Sequence, residues 1–235
     1  MGSTRLPGKV LLKASGKSLL EHHLERVSRS SLITHVVVAT TMSDDEQPIL
    51  DLCDTLGFTS YRGSTSDVLA RYAGAADQED ADIVVRVTSD CPIIDPAVID
   101  EVVQDYLDSA TEVDYVSNCR LERTFPRGMD TEVFSVRCLR EAHREATSDM
   151  DREHVTPFIW RQPDRFKLAS VSFSSDQSQH RWTVDTADDF KLIGRIISHL
   201  YPTRPEFTLQ DCLLLLDDHP DWQGINSYVE QKELM

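Results

Sequence analysis

The first forty residues contain two patterns of apolar positions: one with the spacing of a helix and, after it, one typical of an extended strand. The helical positions are Leu20, Leu24 and Val27. They predict one face of a helix that follows a capping box of Ser18 and Glu21 and runs to about residue 29. The run THVVVAT at 34–40 is continuous and rich in β-branched residues, which is typical of a strand buried on both faces of a parallel sheet.

The alternation of helical and extended segments continues to about residue 107. Helices are predicted at 46–56, 67–77 and 96–107, and strands at 58–61 and 81–90. Gly57 supplies a left-handed residue that ends the first of these helices, and Asp95 with Pro96 is a strong start signal for the last. This order predicts an α/β domain with a mainly parallel sheet.

The pattern changes between residues 115 and 180. Strands are predicted there at 131–136 and 166–173, and helices at 137–146 and 152–161. This order indicates an inserted lobe or an antiparallel extension. The segment RWTVDTADD at 181–189 returns to a strand followed by a helix, with Thr186 as the cap.

Composition narrows the class of protein. Of the 235 residues, 40% are hydrophobic, and the net charge of −16 disfavours nucleic acid and acidic membranes as partners. The five cysteines are scattered and give neither a disulfide framework nor a zinc spacing. No apolar run is long enough for a membrane span, and none resembles a signal peptide. We expect a cytoplasmic protein with reduced thiols.

The first ten residues, MGSTRLPGKV, combine small, hydroxyl and basic side chains. Gly2 permits close approach of the backbone, while Ser3 and Thr4 offer hydroxyls. Arg5 and Lys9 can neutralise phosphate oxygens. The glycine spacing matches neither a Walker loop nor a dinucleotide fingerprint. The segment is therefore either a phosphate-binding loop of another kind or a solvated terminus.

Two aspartates follow predicted strands. Asp90 lies in VTSDCPIIDP and Asp185 follows RWTV, and ligands of open α/β sheets bind beyond the carboxyl ends of strands. Either side chain could instead cap a helix, although Asp95 and Thr186 are available for that role. Two carboxylates without a cluster of histidines or cysteines suit a hard cation such as Mg²⁺ better than zinc.

Seven segments, in order, resemble a known family. They are GSTRLPGK, YRGSTSDVLARY, RVTSDCPIIDP, DYVSN, FPRGMDTEVF, REHVTPFI and RWTVDTADDF. Together they resemble the spore coat polysaccharide biosynthesis branch of the cytidylyltransferases, with acylneuraminate and 3-deoxy-manno-octulosonate cytidylyltransferases as more distant relatives. The resemblance covers nearly the whole chain. It implies a three-layer α/β nucleotidyltransferase fold, Rossmann-like and related to glycosyltransferase-A domains, with a mostly parallel sheet, and a homodimer.

The resemblance also implies a reaction, in which a hydroxyl of an acidic or related sugar attacks the α-phosphate of CTP to give a CMP-sugar and pyrophosphate. It places Gly2, Ser3, Arg5 and Lys9 around the triphosphate, and Mg²⁺ on Asp90 and Asp185. Arg5 and Lys9 would stabilise the departing pyrophosphate. A segment with Ser66, Asp67 and Arg71 would lie near the nucleotide. Residues 115–180 would form a lobe for sugar binding or dimerisation, with Gly128, Asp130, Glu132, Arg152 and His154 on the sugar side.

Simpler interpretations of the sugar-side residues stay open. Gly128 can serve only a turn, Arg152 and Glu153 can form a surface ion pair of little energetic consequence, and His154 can be a packed helix residue. Two other functions also remain: a metal-dependent glycosyltransferase, although SDCP lacks the expected Asp-X-Asp pair, and an inactive scaffold subunit. Family members begin with an apolar strand before the glycine-serine loop, so we expect such a strand to be encoded upstream of Met1.

Overall fold

The computed structural model describes residues 5–109 and 112–230. Gly2 and Ser3, two of the predicted phosphate-binding residues, lie outside these ranges. The regular elements in chain order are β1 (Lys13–Ala14), β2 (Lys17–Ser18), α1 (Leu19–Val27), β3 (Val37–Thr41), α2 (Gln47–Leu56), β4 (Thr59–Gly63), α3 (Val68–Gln78), β5 (Ile83–Arg86), α4 (Pro96–Ser109), β6 (Tyr115–Ser117), β7 (Glu132–Ser135), α5 (Val136–Glu145), α6 (Asp149–His154), α7 (Pro157–Trp160), β8 (Leu168–Ser170), α8 (Ala187–Leu200), α9 (Leu209–Asp218) and α10 (Pro220–Gln223).

The main sheet is mixed. Its strand order is β5-β7-β6-β8, with β7 antiparallel to both neighbours and β6 parallel to β8. A separate pair, β3 and β4, is parallel, as the alternation of helices and strands predicts, and β1 with β2 forms a small hairpin. The α/β class is confirmed. Among the strands of residues 5–109 and 112–230, two pairings are parallel, β3 with β4 and β6 with β8, because β7 lies between β5 and β6 and is antiparallel to both.

Helices cover both faces of the main sheet. Val116 and Val133 point into the larger core, together with apolar residues of α4, α8 and α9. Their sequence neighbours Tyr115 and Phe134 point to the opposite face, where α3, α5 and α7 pack. Because side chains alternate along a strand, this division gives the three-layer arrangement that the resemblance implies.

The strands β3 and β5 are among those that pair on one side only. Within the described ranges β3 pairs only with β4, and β5 pairs only with β7. Their apolar side chains, among them Val38 and Val84, are only partly buried, whereas the sequence predicts burial on both faces for the strand at 34–40. An open edge leaves backbone donors and acceptors without a partner strand. The additional strand expected upstream of the glycine-serine loop stays a prediction.

Most helix boundaries follow the local signals in the sequence. Ser18, Asp67 and Thr186 each accept a hydrogen bond from a backbone N–H in the first turn of the helix that follows. Gly57 has a φ of 76° and ends α2 in the left-handed conformation, which costs glycine little because it has no Cβ. These signals involve only neighbouring residues, so the sequence predicts the helix boundaries without the tertiary fold.

One predicted helix is divided. The segment 152–161 forms the end of α6 and the whole of α7, separated by Val155 with a φ of 73°. The residue before Pro157 is the N-cap of α7. That residue, Thr156, donates its hydroxyl hydrogen to Glu132 Oε1 at 2.6 Å. The break therefore turns a buried side chain towards β7.

The predicted strand at the start of RWTVDTADD is also wrong. Arg181 forms only an isolated parallel bridge with Arg127. The backbone N–H groups of Asp185 and Thr186 donate instead to Asp189 Oδ2, at 3.0 and 2.9 Å. Side-chain acceptors thus take the place of a neighbouring strand, and the segment remains an irregular loop before α8.

Candidate active site

Four predicted residues meet at one point. Lys9 Nζ lies 2.8 Å from Asp90 Oδ2 and 2.8 Å from Asp185 Oδ1. Arg5 Nη2 lies 3.0 Å from Asp185 Oδ2 at the exposed side of the group. Gly8, with a φ of 66°, turns the chain immediately before Lys9, a conformation that glycine adopts at little cost. We call Arg5, Lys9, Asp90 and Asp185 the opening-loop cluster.

The charges in this cluster stabilise one another. Burial acts to lower the pKa of Lys9, but the negative charge of Asp90 and the hydrogen bonds to both aspartates outweigh it and raise that pKa. Burial acts to raise the pKa of Asp185, but the hydrogen bond and charge of Lys9, with Arg5 and Arg181, lower it. Lys9 is therefore a cation and Asp185 an anion at neutral pH.

Backbone contacts hold the two aspartates side by side. Asp90 lies four residues beyond the end of β5, and its carbonyl oxygen accepts a hydrogen bond from the Val184 N–H at 2.8 Å. The Thr183 hydroxyl donates to the same oxygen at 3.5 Å. The loop after β5 and the loop before α8 are thus joined directly beneath the carboxylates.

Three further residues support Asp185. Arg181 Nη2 donates to Asp185 Oδ2 at 2.7 Å, and Arg181 Nε donates to Asp189 Oδ1 at 3.0 Å. Asn226 donates to the same Asp189 oxygen. No motif in the sequence predicts a role in the site for these three residues. The spacing Thr186-x-x-Asp189 is a capping signal that could have identified Asp189, whereas nothing local points to Asn226.

The donor set of the cluster fits a hard cation. Both carboxylates lie at hydrogen-bonding distance from one ammonium group, so their oxygens already converge on a positive charge. Carboxylate oxygens are the ligands that Mg²⁺ takes from proteins, often only one or two of them. No group of three or more His, Cys, Asp or Glu side chains suited to a metal occurs among residues 5–109 and 112–230.

The residues predicted near the nucleotide lie at the start of α3. Asp67 caps this helix by accepting from the Ala70 N–H at 2.8 Å, and Ser66 before it is exposed. Arg71 Nη1 donates to the Ser64 carbonyl at 3.0 Å, while burial lowers the pKa of its guanidinium. These contacts hold the turn; the role of Ser66, Asp67 and Arg71 in nucleotide binding stays a prediction.

Arg152 links that turn to the sugar-side segment. Its Nη1 lies 3.3 Å from Asp67 Oδ2, and its other nitrogens donate to the carbonyls of His143 and Ala146. Arg152 thus pairs with Asp67, the cap of α3, and not with its neighbour Glu153 as far as the described residues show. His154, half-buried, is the last residue of α6, and its part in sugar binding stays a prediction.

Gly128 and Asp130 lie beside the loop that carries Asp185. Gly128 has a φ of 106°, and a Cβ there would come within 2.7 Å of the Trp182 backbone. Both the conformation and the close approach therefore require glycine. The carboxylate of Asp130 makes two hydrogen bonds with Arg123, at 2.6 and 2.7 Å. The segment containing both residues is fixed by these contacts.

Glu132 lies in a second, deeper group of charges. Its side chain is 1% exposed and contacts two arginines: Arg86, through a short ion pair, and Arg120, whose Nε lies 3.0 Å from Oε1. The hydroxyls of Tyr115 and Thr156 each donate to Oε1 at 2.6 Å. Burial acts to raise the pKa of Glu132, but the two arginines lower it well below its usual range. We call these five residues the Glu132 cluster.

No helix in the described part of the chain is long and apolar enough to cross a membrane.

Comparisons with known proteins point in one direction. Residues 1–204 match the Cytidylyltransferase family. The chain is 29% identical over 228 residues to the spore coat polysaccharide biosynthesis protein SpsF of Bacillus subtilis, a match that covers 94% of this chain and 92% of that protein. The similarity therefore extends over almost the full length of both proteins.

Solved structures give the same result. A cytidylyltransferase from Leptospira borgpetersenii superposes with a TM-score of 0.90 at 32% identity, over 99% of this chain and 95% of that one. A CMP:2-keto-3-deoxy-manno-octonic acid synthetase complexed with CTP superposes with a TM-score of 0.65 at 18% identity, over 84% of this chain and 95% of that one; this second likeness concerns the fold alone. By its family match and this full-length similarity, the chain belongs to the cytidylyltransferase family.

Proposed function

We propose that this protein transfers the cytidylyl group of CTP to a hydroxyl of an acidic or related sugar, which gives a CMP-sugar and pyrophosphate for surface polysaccharide synthesis. The observation that carries the proposal is the opening-loop cluster, where Lys9 joins Asp90 and Asp185 at 2.8 Å from each. Membership of the cytidylyltransferase family supports CTP as the nucleotide. The superposable synthetase that was crystallised with CTP supports it through the shared fold.

The reaction requires charge neutralisation more than covalent chemistry. The hydroxyl oxygen of the sugar forms a bond to the α-phosphorus, the bond from this phosphorus to the pyrophosphate oxygen breaks, and the hydroxyl proton passes to solvent. Arg5 and Lys9 stabilise the negative charge that develops on the pyrophosphate. Lys9 is a cation that is already partly removed from water, with its side chain 14% exposed. Its interaction with phosphate is therefore stronger than that of a free surface lysine.

Asp90 and Asp185 would hold Mg²⁺, which when bound polarises the α-phosphate and lowers the pKa of the attacking hydroxyl. The protein contributes the position of the two carboxylates, which the backbone bond between Asp90 and Val184 keeps together. The sugar is proposed to bind beside Gly128 and Asp130, because this segment packs against the loop that carries Asp185. The homodimer is likewise a proposal, and its mass in solution tests it.

Pyrophosphate release tests the proposed function. The protein is incubated with each of the four ribonucleoside triphosphates, Mg²⁺ and a panel of sugars that includes 3-deoxy-manno-octulosonate, an acylneuraminate and their neutral analogues. Release that needs both CTP and one sugar supports the proposal, and chelation of Mg²⁺ should abolish it. Sugar transfer from a nucleotide-sugar would indicate a glycosyltransferase instead. Folded protein that turns over none of these substrates would indicate an inactive subunit.

A further inference from the structure

The C-terminal segment returns to the candidate active site after crossing the core. Residues 205–230 lie beyond the part of the chain that matches the family. The segment is anchored at its start, where Arg26 Nη2 donates to the Phe207 carbonyl at 2.7 Å and the Leu209 N–H donates to Asp95 Oδ2 at 2.5 Å. Apolar residues of α9 then pack in the main core. This path brings Asn226 to the loop before α8.

Asn226 makes two hydrogen bonds there. Its side-chain nitrogen lies 2.8 Å from Asp189 Oδ1 and 2.8 Å from the Arg181 carbonyl oxygen. The residue is 3% exposed, and a side-chain amide carries two N–H groups. Both N–H groups of the amide are therefore used. One binds the carboxylate of Asp189, and the other binds the backbone carbonyl of Arg181, whose guanidinium also binds Asp189.

Asp189 and Arg181 transmit this contact to Asp185. Asp189 is fully buried and accepts from the Asp185 N–H at 3.0 Å and the Arg181 Nε at 3.0 Å. Arg181 Nη2 then donates to Asp185 Oδ2 at 2.7 Å. Backbone and side chain of Asp185 are thus held by one ion pair, and Asn226 holds both members of this pair.

We infer that Asn226 is a positioning residue for the carboxylate of Asp185, acting through Arg181 and Asp189. The inference rests on the proposed function for its consequence in catalysis. An asparagine suits this position because it donates two hydrogen bonds without a charge. A carboxylate would repel Asp189, and a cation would compete with Arg181 for it.

Three variants test the inference by steady-state kinetics. Asn226→Ala should lower kcat about tenfold or more, as partners of metal-binding side chains do when removed, with the KM for CTP within about twofold of the wild type because the nucleotide contacts remain. Asn226→Asp keeps the shape but places a negative charge beside Asp189, so its loss should be larger. Gln223→Ala is the matched control, since the side chain of Gln223 donates to the Leu216 carbonyl within the same segment. It should behave as wild type.

A packing role predicts the opposite order. If Asn226→Asp retained more activity than Asn226→Ala, shape would explain the effect and the inference would be overturned. Equal losses in Asn226→Ala and Gln223→Ala would also overturn it, because the segment would then contribute only to folding. Thermal unfolding of each variant gives the folded fraction to which kcat refers.

A second measurement does not depend on turnover. The backbone N–H groups of Asp185 and Thr186 donate to Asp189. Their hydrogens should exchange with solvent faster in Asn226→Ala and Asn226→Asp than in the wild type. In Gln223→Ala the exchange rates should equal those of the wild type. Unchanged exchange in both Asn226 variants would overturn the inference. If the wild type released no pyrophosphate, the proposed function would fail, and amide exchange would still decide whether Asn226 holds the Asp185 loop.

Discussion

The opening-loop cluster and the Glu132 cluster both pair carboxylates with basic side chains but differ in how many donors surround each carboxylate. Glu132 is 1% exposed and binds four donors: two arginines and two hydroxyls. Asp90 is 24% exposed, and in the described part of the chain its carboxylate oxygens receive one strong donor, Lys9, and the weak thiol of Cys91 at 3.6 Å.

This difference separates a carboxylate that binds several donors of the protein from one that keeps acceptor capacity; the role of Glu132 in sugar binding stays a prediction. The oxygens of Glu132 accept from four side chains of the protein, which come from β5, β6, the loop after β6 and the break before α7. A buried carboxylate with these partners joins four parts of the fold. Asp90 keeps acceptor capacity at a surface, where binding a cation costs less desolvation. The more deeply buried Glu132 therefore connects elements of the fold, whereas the more exposed Asp90 can bind a cation.

Removing the charge of Glu132 should have the largest effect. Glu132→Gln leaves Arg86 and Arg120 without a counter-charge in a buried site, and breaking such a pair from one side costs about 3–5 kcal/mol of the free energy of unfolding. Urea denaturation measures this loss. Glu145→Gln, which breaks a more exposed ion pair with Arg165, is the matched control and should leave the stability nearly unchanged. Similar values for the two variants would contradict the comparison.

Removing the charge of either aspartate should instead affect turnover. Asp90→Asn and Asp185→Asn should each lower kcat by about 10²–10³-fold, the range found when one preorganised electrostatic group is lost. The unfolding midpoint should change little, because Arg181 keeps its bond to Asp189. Asp77→Asn is the control, as Asp77 pairs with Arg140 at an exposed site. Near wild-type turnover of either variant with saturating Mg²⁺ would remove that aspartate from the catalytic site.

Loss of Lys9 should distinguish phosphate binding from nucleoside binding. Lys9→Ala should weaken the binding of CTP by about 1.5–3 kcal/mol, the range for a hydrogen bond to a charged group, and leave the binding of cytidine unchanged. Calorimetry with both ligands provides the measurement, and Lys13→Ala, an exposed lysine in β1, is the control. An equal loss for CTP and cytidine would contradict the assignment of Lys9 to the triphosphate.

The smallest expected effect is the loss of stability that follows when Glu132 is protonated at low pH. Because the pKa of Glu132 is lowered in the folded protein, its contribution is complete above its ordinary pKa and declines as the pH falls towards the lowered value. Each pH unit in that window removes about 1.4 kcal/mol of stability. Denaturation at pH 5 and pH 3 should therefore show a steeper decline in the wild type than in Glu132→Gln. Parallel declines would mean that Glu132 is not ionised in the fold.

The sequence by itself determined the local features and the residues that motifs connect. A few neighbouring residues are enough to predict the helix caps at Ser18 and Thr186 and the end of α2 at Gly57. The structure contains all three. Lys9, Asp90 and Asp185 were selected by short motifs far apart in the chain, and the structure brings them within hydrogen-bonding distance. The sequence also places Asp90 beyond a strand, a general binding position in open sheets, and Asp90 does follow β5; the strand predicted before Asp185 is instead an irregular loop.

Tertiary structure decided the rest. The break between α6 and α7 turns Thr156 towards Glu132, 24 residues away, and the segment at Arg181 is irregular because Asp189 takes its backbone donors. Asn226 reaches Arg181 across 45 residues. Hydrogen bonds between such distant residues leave no periodic trace in the sequence. They form only once packing has brought their partners together and removed the competing water.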